Sequence, residues 1–109
     1  MSDMNDPQFV EAARNLAQCA LQNGGATATD RLDFMARRLI ARPLRPAEQR
    51  ILTGAVTDLL DQYHANPKAA EELLTVGESK ADPALDHPLL AAYTMVANEM
   101  LNLDEVLNK

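Results

Sequence analysis

Apolar residues recur at helical spacing along most of the chain, in stretches that are separated by proline, glycine and asparagine. The first stretch predicts a helix that begins at Pro7, with Asp6 as its N-cap, and stops at Asn23-Gly24-Gly25. Its apolar stripe consists of Phe9, Ala13, Leu16, Ala17, Ala20 and Leu21. This stripe is wide enough to pack against the rest of a helical domain.

The second stretch predicts a helix from Asp30 to about Ala41. We expect it to bury Leu32, Met35, Ala36 and Leu39. Phe34 falls off this stripe, so we expect it either to make a second contact or to be exposed. The segment Arg42-Pro43-Leu44-Arg45-Pro46 then breaks the chain, because each proline disfavours the helical conformation in the residue before it.

A third helix is predicted to begin at Pro46. Its broad apolar face comprises Ile51, Leu52, Ala55, Val56, Leu59, Leu60 and Tyr63. Asn66-Pro67 repeats the cap-plus-proline start and predicts a short fourth helix that ends at Gly77. An irregular connector follows as far as Leu85.

The fifth helix should be capped by Asp86 and continue to about Leu107. Its apolar stripe is the widest of the five and comprises Leu89, Leu90, Tyr93, Val96, Ala97, Met100, Leu101 and Leu107. A stripe of that width is typical of a helix covered on several sides. The pattern therefore predicts an all-α fold, a compact bundle of about five helices in one domain over residues 1–109, with the C-terminal helix at its centre.

Composition narrows the function classes. The chain has 109 residues and a net charge of −6, which argues against nucleic-acid binding because phosphate contacts need clustered Lys and Arg. The densest basic run, Arg37-Arg38 with Arg42 and Arg45, is interpreted as a solvated helix end. No apolar run reaches the ~18 residues of a membrane span, so we expect no membrane insertion. The first six residues lack the basic and apolar regions of a signal peptide.

The residues that most often carry chemistry form no recognisable set. His64 and His87 lack a metal-ligand spacing and are expected at the surface. Cys19, the single cysteine, has no activating base nearby in sequence, so a packing role is expected. We therefore predict no catalytic residue, no metal site and no cofactor in this chain.

Three polar residues interrupt the last apolar stripe. Asn98, Asn102 and Glu105 lie on one side of the fifth helix. If that side is buried, they must satisfy one another or the backbone; if it is exposed, they are its solvated face. We interpret them as a structural polar set.

The order of segments resembles the C-terminal end of the family called domain of unknown function 1553, from planctomycete-type surface proteins associated with cytochrome c domains. The matching pieces are Asn5–Ala13, Ala41-Arg42-Pro43 with Glu48, Asn66-Pro67, Leu73–Ser79 and Leu101–Val106. In the family pattern a glycine is usual where Ala41 stands, and a Ser or Thr cap is usual near Leu44-Arg45. The resemblance implies the C-terminal module of a larger, exported or cell-envelope protein, with haem only in other domains.

The leading hypothesis is a non-enzymatic helical module that packs against or docks another protein or another part of a parent chain. Phe34 and Met95, both off the main apolar faces, are the candidate contact residues. One alternative is an accessory part of a larger redox or carbohydrate-processing enzyme whose active site lies outside this chain. Another is an acidic cytosolic adaptor unrelated to the family.

Overall fold

The computed structural model describes the backbone of residues 7–75 and 83–107, and the side chains of residues 9–75 and 83–103. Its elements are α1 (Pro7–Asn23), α2 (Ala28–Leu39), α3 (Pro46–Ala65), α4 (Pro67–Leu74) and α5 (His87–Leu107). No strand occurs within these ranges. The predicted all-α class and the number of helices are confirmed.

α5 packs against each of the other four helices, most extensively against α3 and α1. Residues 90–94 are buried without interruption, so every direction around this part of the helix is covered, because successive helical residues point about 100° apart. A single hydrophobic cluster includes residues from all five helices. The prediction that the C-terminal helix is central is therefore confirmed.

Proline and asparagine set several helix ends as expected. Pro46 opens α3, and the Asn66 side chain accepts a hydrogen bond from the Ala69 N–H to cap α4. Asp86 occupies the position before α5, where its carbonyl accepts from the Leu90 N–H. The predicted Asp6 cap and the predicted stop at Gly77 lie outside the described residues.

The predicted bounds of α2 are wrong at both ends. The helix begins at Ala28 instead of Asp30, because Thr27 is its N-cap, and the Thr27 hydroxyl accepts a hydrogen bond from the Asp30 N–H at 3.1 Å. The helix ends at Leu39, because Ala41 adopts a left-handed conformation with φ of 62°. Two residue types that favour N-caps, three positions apart, made the start ambiguous from sequence alone.

One residue of the predicted apolar face of α3 is mainly exposed. Leu52 and Val56 are buried, whereas Ile51 is 55% exposed. Cys19 is also exposed, so its predicted packing role is wrong. In each case the residue lies at the edge of its helix's apolar stripe, where packing partners and not helical spacing decide burial.

Replacing Ala41 by glycine should stabilise the domain by about 0.5–1 kcal/mol. The left-handed conformation costs an L-residue roughly 1–2 kcal/mol, and part of the gain is offset by the greater freedom of glycine in the unfolded chain. Ala41 is exposed, so no packing is lost. Chemical denaturation measures the change. Gln62→Gly, at an exposed site inside α3, should destabilise the domain by about 0.5 kcal/mol; if both variants lose stability, the conformation assigned to Ala41 is wrong.

Candidate functional site

The start of α3 is fixed by a buried carboxylate. Glu48 is 1% exposed and accepts hydrogen bonds from both terminal nitrogens of Arg42, at 2.8 and 2.7 Å. The same carboxylate accepts the Arg45 N–H at 2.8 Å, which satisfies one of the free donors at the helix start. The fork of Arg42 matches both carboxylate oxygens, a geometry that adds specificity to the charge pair.

The Arg42–Glu48 pair corrects the prediction for Arg42 and lowers the pKa of Glu48. Arg42 does not belong to a solvated helix end, because its guanidinium forms a salt bridge with the buried Glu48 carboxylate at the turn between α2 and α3. The hydrogen bonds from Arg42 lower the pKa of the Glu48 carboxyl from 4.5 to about 2; burial opposes this shift and the Arg45 N–H adds to it.

The position of Ile51 follows from which side of α3 is buried. Glu48, Leu52 and Val56 are spaced by four residues and are all buried, so they form the inner line of α3. Ile51 lies about 100° around the helix from Leu52 and is left at the surface. Among the described side chains it is the one large hydrophobic residue that is mainly exposed.

Ile51 borders a groove between α3 and α5, which we call the α3/α5 groove. Its lining residues are Ile51, Leu52, Glu99, Asn102 and Leu103, and its volume is about 200 Å³. Glu99 is exposed at the rim. The groove therefore offers aliphatic surface beside one carboxylate and one amide.

A second, shallower depression lies between the start of α2 and the outer side of α3. Its volume is about 430 Å³, and its lining is Thr29, Pro46, Gln49, Arg50, Thr53, Gly54 and Thr57. The hydroxyls of Thr53 and Thr57 donate to backbone carbonyls one turn earlier, so they are committed to the helix. No acid, base or nucleophile pair occurs in this lining.

Arg14 of α1 is a second buried charge, and it has no counterpart. Its side chain is 0% exposed, and Nε, Nη1 and Nη2 have no hydrogen-bond partner among the described residues. Removing an unpaired charge from water costs several kcal/mol even after relaxation. The pattern of apolar residues in the sequence does not predict the burial of Arg14, because an arginine next to an apolar stripe normally extends its guanidinium to solvent.

The predicted site residues fall in different places. Phe34 is half-buried on α2, and the Arg38 guanidinium covers its ring at 3.7 Å from the centroid. Met95 is half-buried on α5, four residues before Glu99 and so on the same side of the helix. Neither lines the α3/α5 groove, and their proposed contact role stays a prediction.

The predicted polar set is divided in a similar way. Asn98 is 5% exposed, whereas Asn102 is half-buried at the groove. The side chain of Glu105 lies outside the described side chains. The groove residue that sequence reasoning missed is Ile51, because its spacing fits the inner face of α3 as well as the outer edge.

The two histidines, which could act as bases or metal ligands, lie on different helices and do not line the α3/α5 groove. His87 Nδ1 lies 2.5 Å from Glu71 Oε2, a contact that joins the start of α5 to α4, whereas His64 is exposed at the end of α3. Among the side chains of residues 9–75 and 83–103, no three His, Cys, Asp or Glu residues are grouped so that they could hold a metal ion. None of the described helices is both long and apolar enough to cross a bilayer.

Glu48→Gln should destabilise the domain by about 1–3 kcal/mol at pH 7, because it removes the charge that Arg42 grips. The folded-state pKa is depressed, so this stabilisation is present above pH 4.5 and is lost as pH falls towards 2. Denaturant unfolding of both proteins at pH 7 and pH 2.5 measures the difference.

The control for this experiment is Asp33→Asn, which breaks the exposed Arg37–Asp33 pair on α2 and should change stability by less than about 0.5 kcal/mol. The difference between Glu48→Gln and the parent should shrink at the lower pH. An equal difference at both pH values would contradict the assigned role of the ionised carboxylate.

Comparisons with protein-family models, with curated proteins and with solved structures found no match to this chain. The resemblance to the domain of unknown function 1553 family thus stays a prediction from the sequence segments, with no structural neighbour or relative to support it.

Proposed function

We propose that this domain is a non-enzymatic protein-interaction module, and that the α3/α5 groove docks an amphipathic helix of a protein partner. The partner helix carries one or two aliphatic anchors flanked by Lys or Arg. The observation that carries the proposal is the exposure of Ile51 beside an apolar groove. A large hydrophobic side chain at such a position is a common anchor for a partner's apolar face.

The size of the groove favours a side chain over a small substrate. Sites for small molecules usually enclose about 300–1,000 Å³ and bury most of the ligand. The α3/α5 groove has about 200 Å³, which suits an aliphatic anchor delivered by a larger partner. The binding free energy would then come from Ile51 and Leu103 as the contact residues, because the Leu52 side chain is already buried in the core.

The negative charge around the groove favours a partner with basic residues. Glu99 lies at the rim, and Asp58 is exposed on α3 two turns after Ile51, on the same side of that helix. The whole chain has a net charge of −6. An acidic surface raises the association rate of basic partners and repels acidic ones, including a second copy of this chain.

A role as an accessory part of a larger enzyme is the second possibility raised by the sequence, and no particular residue favours it over docking. The proposal assigns no cofactor to this chain, and it would place haem only in other domains of a parent protein. An exported or cell-envelope location follows only if the family resemblance holds.

Two synthetic peptides test the proposal. One is a 14-residue amphipathic helix of Leu and Lys, and the other has Glu in place of every Lys. Nuclear magnetic resonance titration of the labelled domain should show the Leu/Lys peptide shifting the amide signals of Ile51, Leu52 and Leu103. The Leu/Glu peptide should bind at least tenfold more weakly, and added salt should weaken the Leu/Lys complex.

Variants connect the binding to the groove. Ile51→Ser should weaken binding of the Leu/Lys peptide about tenfold, because a buried aliphatic contact is lost. Cys19→Ser, at an exposed site on α1, should leave binding unchanged. Equal binding of the two peptides, or shifts centred away from Ile51, would contradict the proposal. A stable dimer of the domain alone that Ile51→Ser abolishes would show that a second copy is the occupant, which also contradicts it.

A further inference from the structure

The apolar side chains of α1 that are fully buried in the bundle are small. The buried apolar residues of α1 are Val10, Ala13, Ala17 and Ala20. Its larger apolar residues, Phe9, Leu16 and Leu21, are only half-buried against the core. Hydrophobic stabilisation scales with the apolar area removed from water, so a face made mostly of alanine contributes little per residue.

Arg14 lies among these residues, and burial of its guanidinium lowers the free energy gained when α1 packs on the bundle. A guanidinium is a charged group with five N–H donors, and removing it from water without hydrogen-bond partners is costly. With 0% exposure there is also no room beside it for a water molecule or a small anion. None of its three side-chain nitrogens has a hydrogen-bond partner among the described residues, so burial of the guanidinium is not offset by hydrogen bonds to them while α1 is docked.

We propose that α1 is a detachable helix, which leaves the bundle as a unit while α2 to α5 stay assembled, and that the return of the Arg14 guanidinium to water drives this opening. The open form exposes the part of α5 that α1 covers. The bundle then has two states, and any partner that recognises this part of α5 binds only the open one.

The connection between α1 and α2 suits such a motion. Gly25 has φ of 115°, a conformation that L-residues rarely adopt, and a Cβ there would lie 2.7 Å from the Asp30 side chain. On the far side of this hinge, α2 has contacts that do not need α1. Thr27 caps its start, and the Arg31 guanidinium lies over the Tyr93 ring of α5, 5.8 Å from the centroid.

Hydrogen exchange of the full chain, followed by mass spectrometry, tests the proposal. In the parent protein, amides of residues 17–21 in α1 should exchange at least tenfold faster than those of residues 91–97 in α5. Arg14→Met keeps a long apolar side chain without the charge, and it should slow exchange in α1 at least tenfold. Arg50→Met is the matched control, because it removes the same charge from an exposed site on α3 and should leave the pattern unchanged.

The possible results separate clearly. Equal exchange rates in α1 and α5 of the parent would overturn the proposal. Faster exchange in α1 of Arg14→Met, or failure of this variant to fold, would also overturn it, because Arg14 would then stabilise the docked helix. Unchanged exchange in Arg14→Met would overturn it as well, because the charge would then have no effect on opening. Slower exchange confined to α1 in Arg14→Met, with Arg50→Met unchanged, would establish the detachable helix.

Discussion

The constraint on which the rest of the structure depends is the burial of α5. Its residues from Leu90 to Thr94 are all buried, and Val96, Ala97 and Asn98 follow after one half-buried position. A helix that is apolar on nearly every side can be removed from water only if other helices surround it. α1, α2, α3 and α4 each need a single apolar face to do this, which explains why their outer sides can be polar.

The turn between α2 and α3 leads into the helix that carries the exposed residue of the α3/α5 groove. Glu48, Leu52 and Val56 lie on the buried side of α3, where Arg42 donates hydrogen bonds to the Glu48 carboxylate, and Ile51 is exposed. The exposed Ile51 thus lies beside the buried line of α3 that begins with the ion pair. One large aliphatic side chain, Ile51, is exposed at a groove with an acidic rim, and this is the physical basis of the proposed docking role.

The sequence predicted the number and order of the helices because proline, glycine and asparagine mark most of their ends. The central position of α5 was also predictable, since the width of an apolar stripe reflects how many sides are covered. The start of α2 was not, because Thr27 and Asp30 are both good caps and only the packing of the following turn selects one. The left-handed Ala41, which ends α2 early, gave no composition signal, because alanine is a strong helix former.

The candidate site was harder to predict than the fold. Ile51 and Leu52 are neighbours at the edge of one stripe, and sequence spacing cannot say which of them faces the core. The burial of Glu48 and Arg14 was missed because charged residues are normally exposed, and their exceptions depend on contacts between separate helices. Phe34 and Met95 lie off the main apolar faces of their helices, yet the groove is bordered by Ile51, whose spacing fits the inner face of α3.

The most direct test of the central role of α5 is the unfolding of Val96→Asp, followed by far-ultraviolet circular dichroism against denaturant. Val96 is 0% exposed, so the variant buries an unpaired charge in the middle of the covered helix. A loss of at least about 4 kcal/mol, or of the cooperative transition altogether, is expected, since a domain of this size is stabilised by only ~5–15 kcal/mol. Thr57→Asp, which places the same charge on the exposed side of α3, should stay within about 1 kcal/mol of the parent. If Val96→Asp unfolds like Thr57→Asp, α5 is not the helix around which the bundle is built.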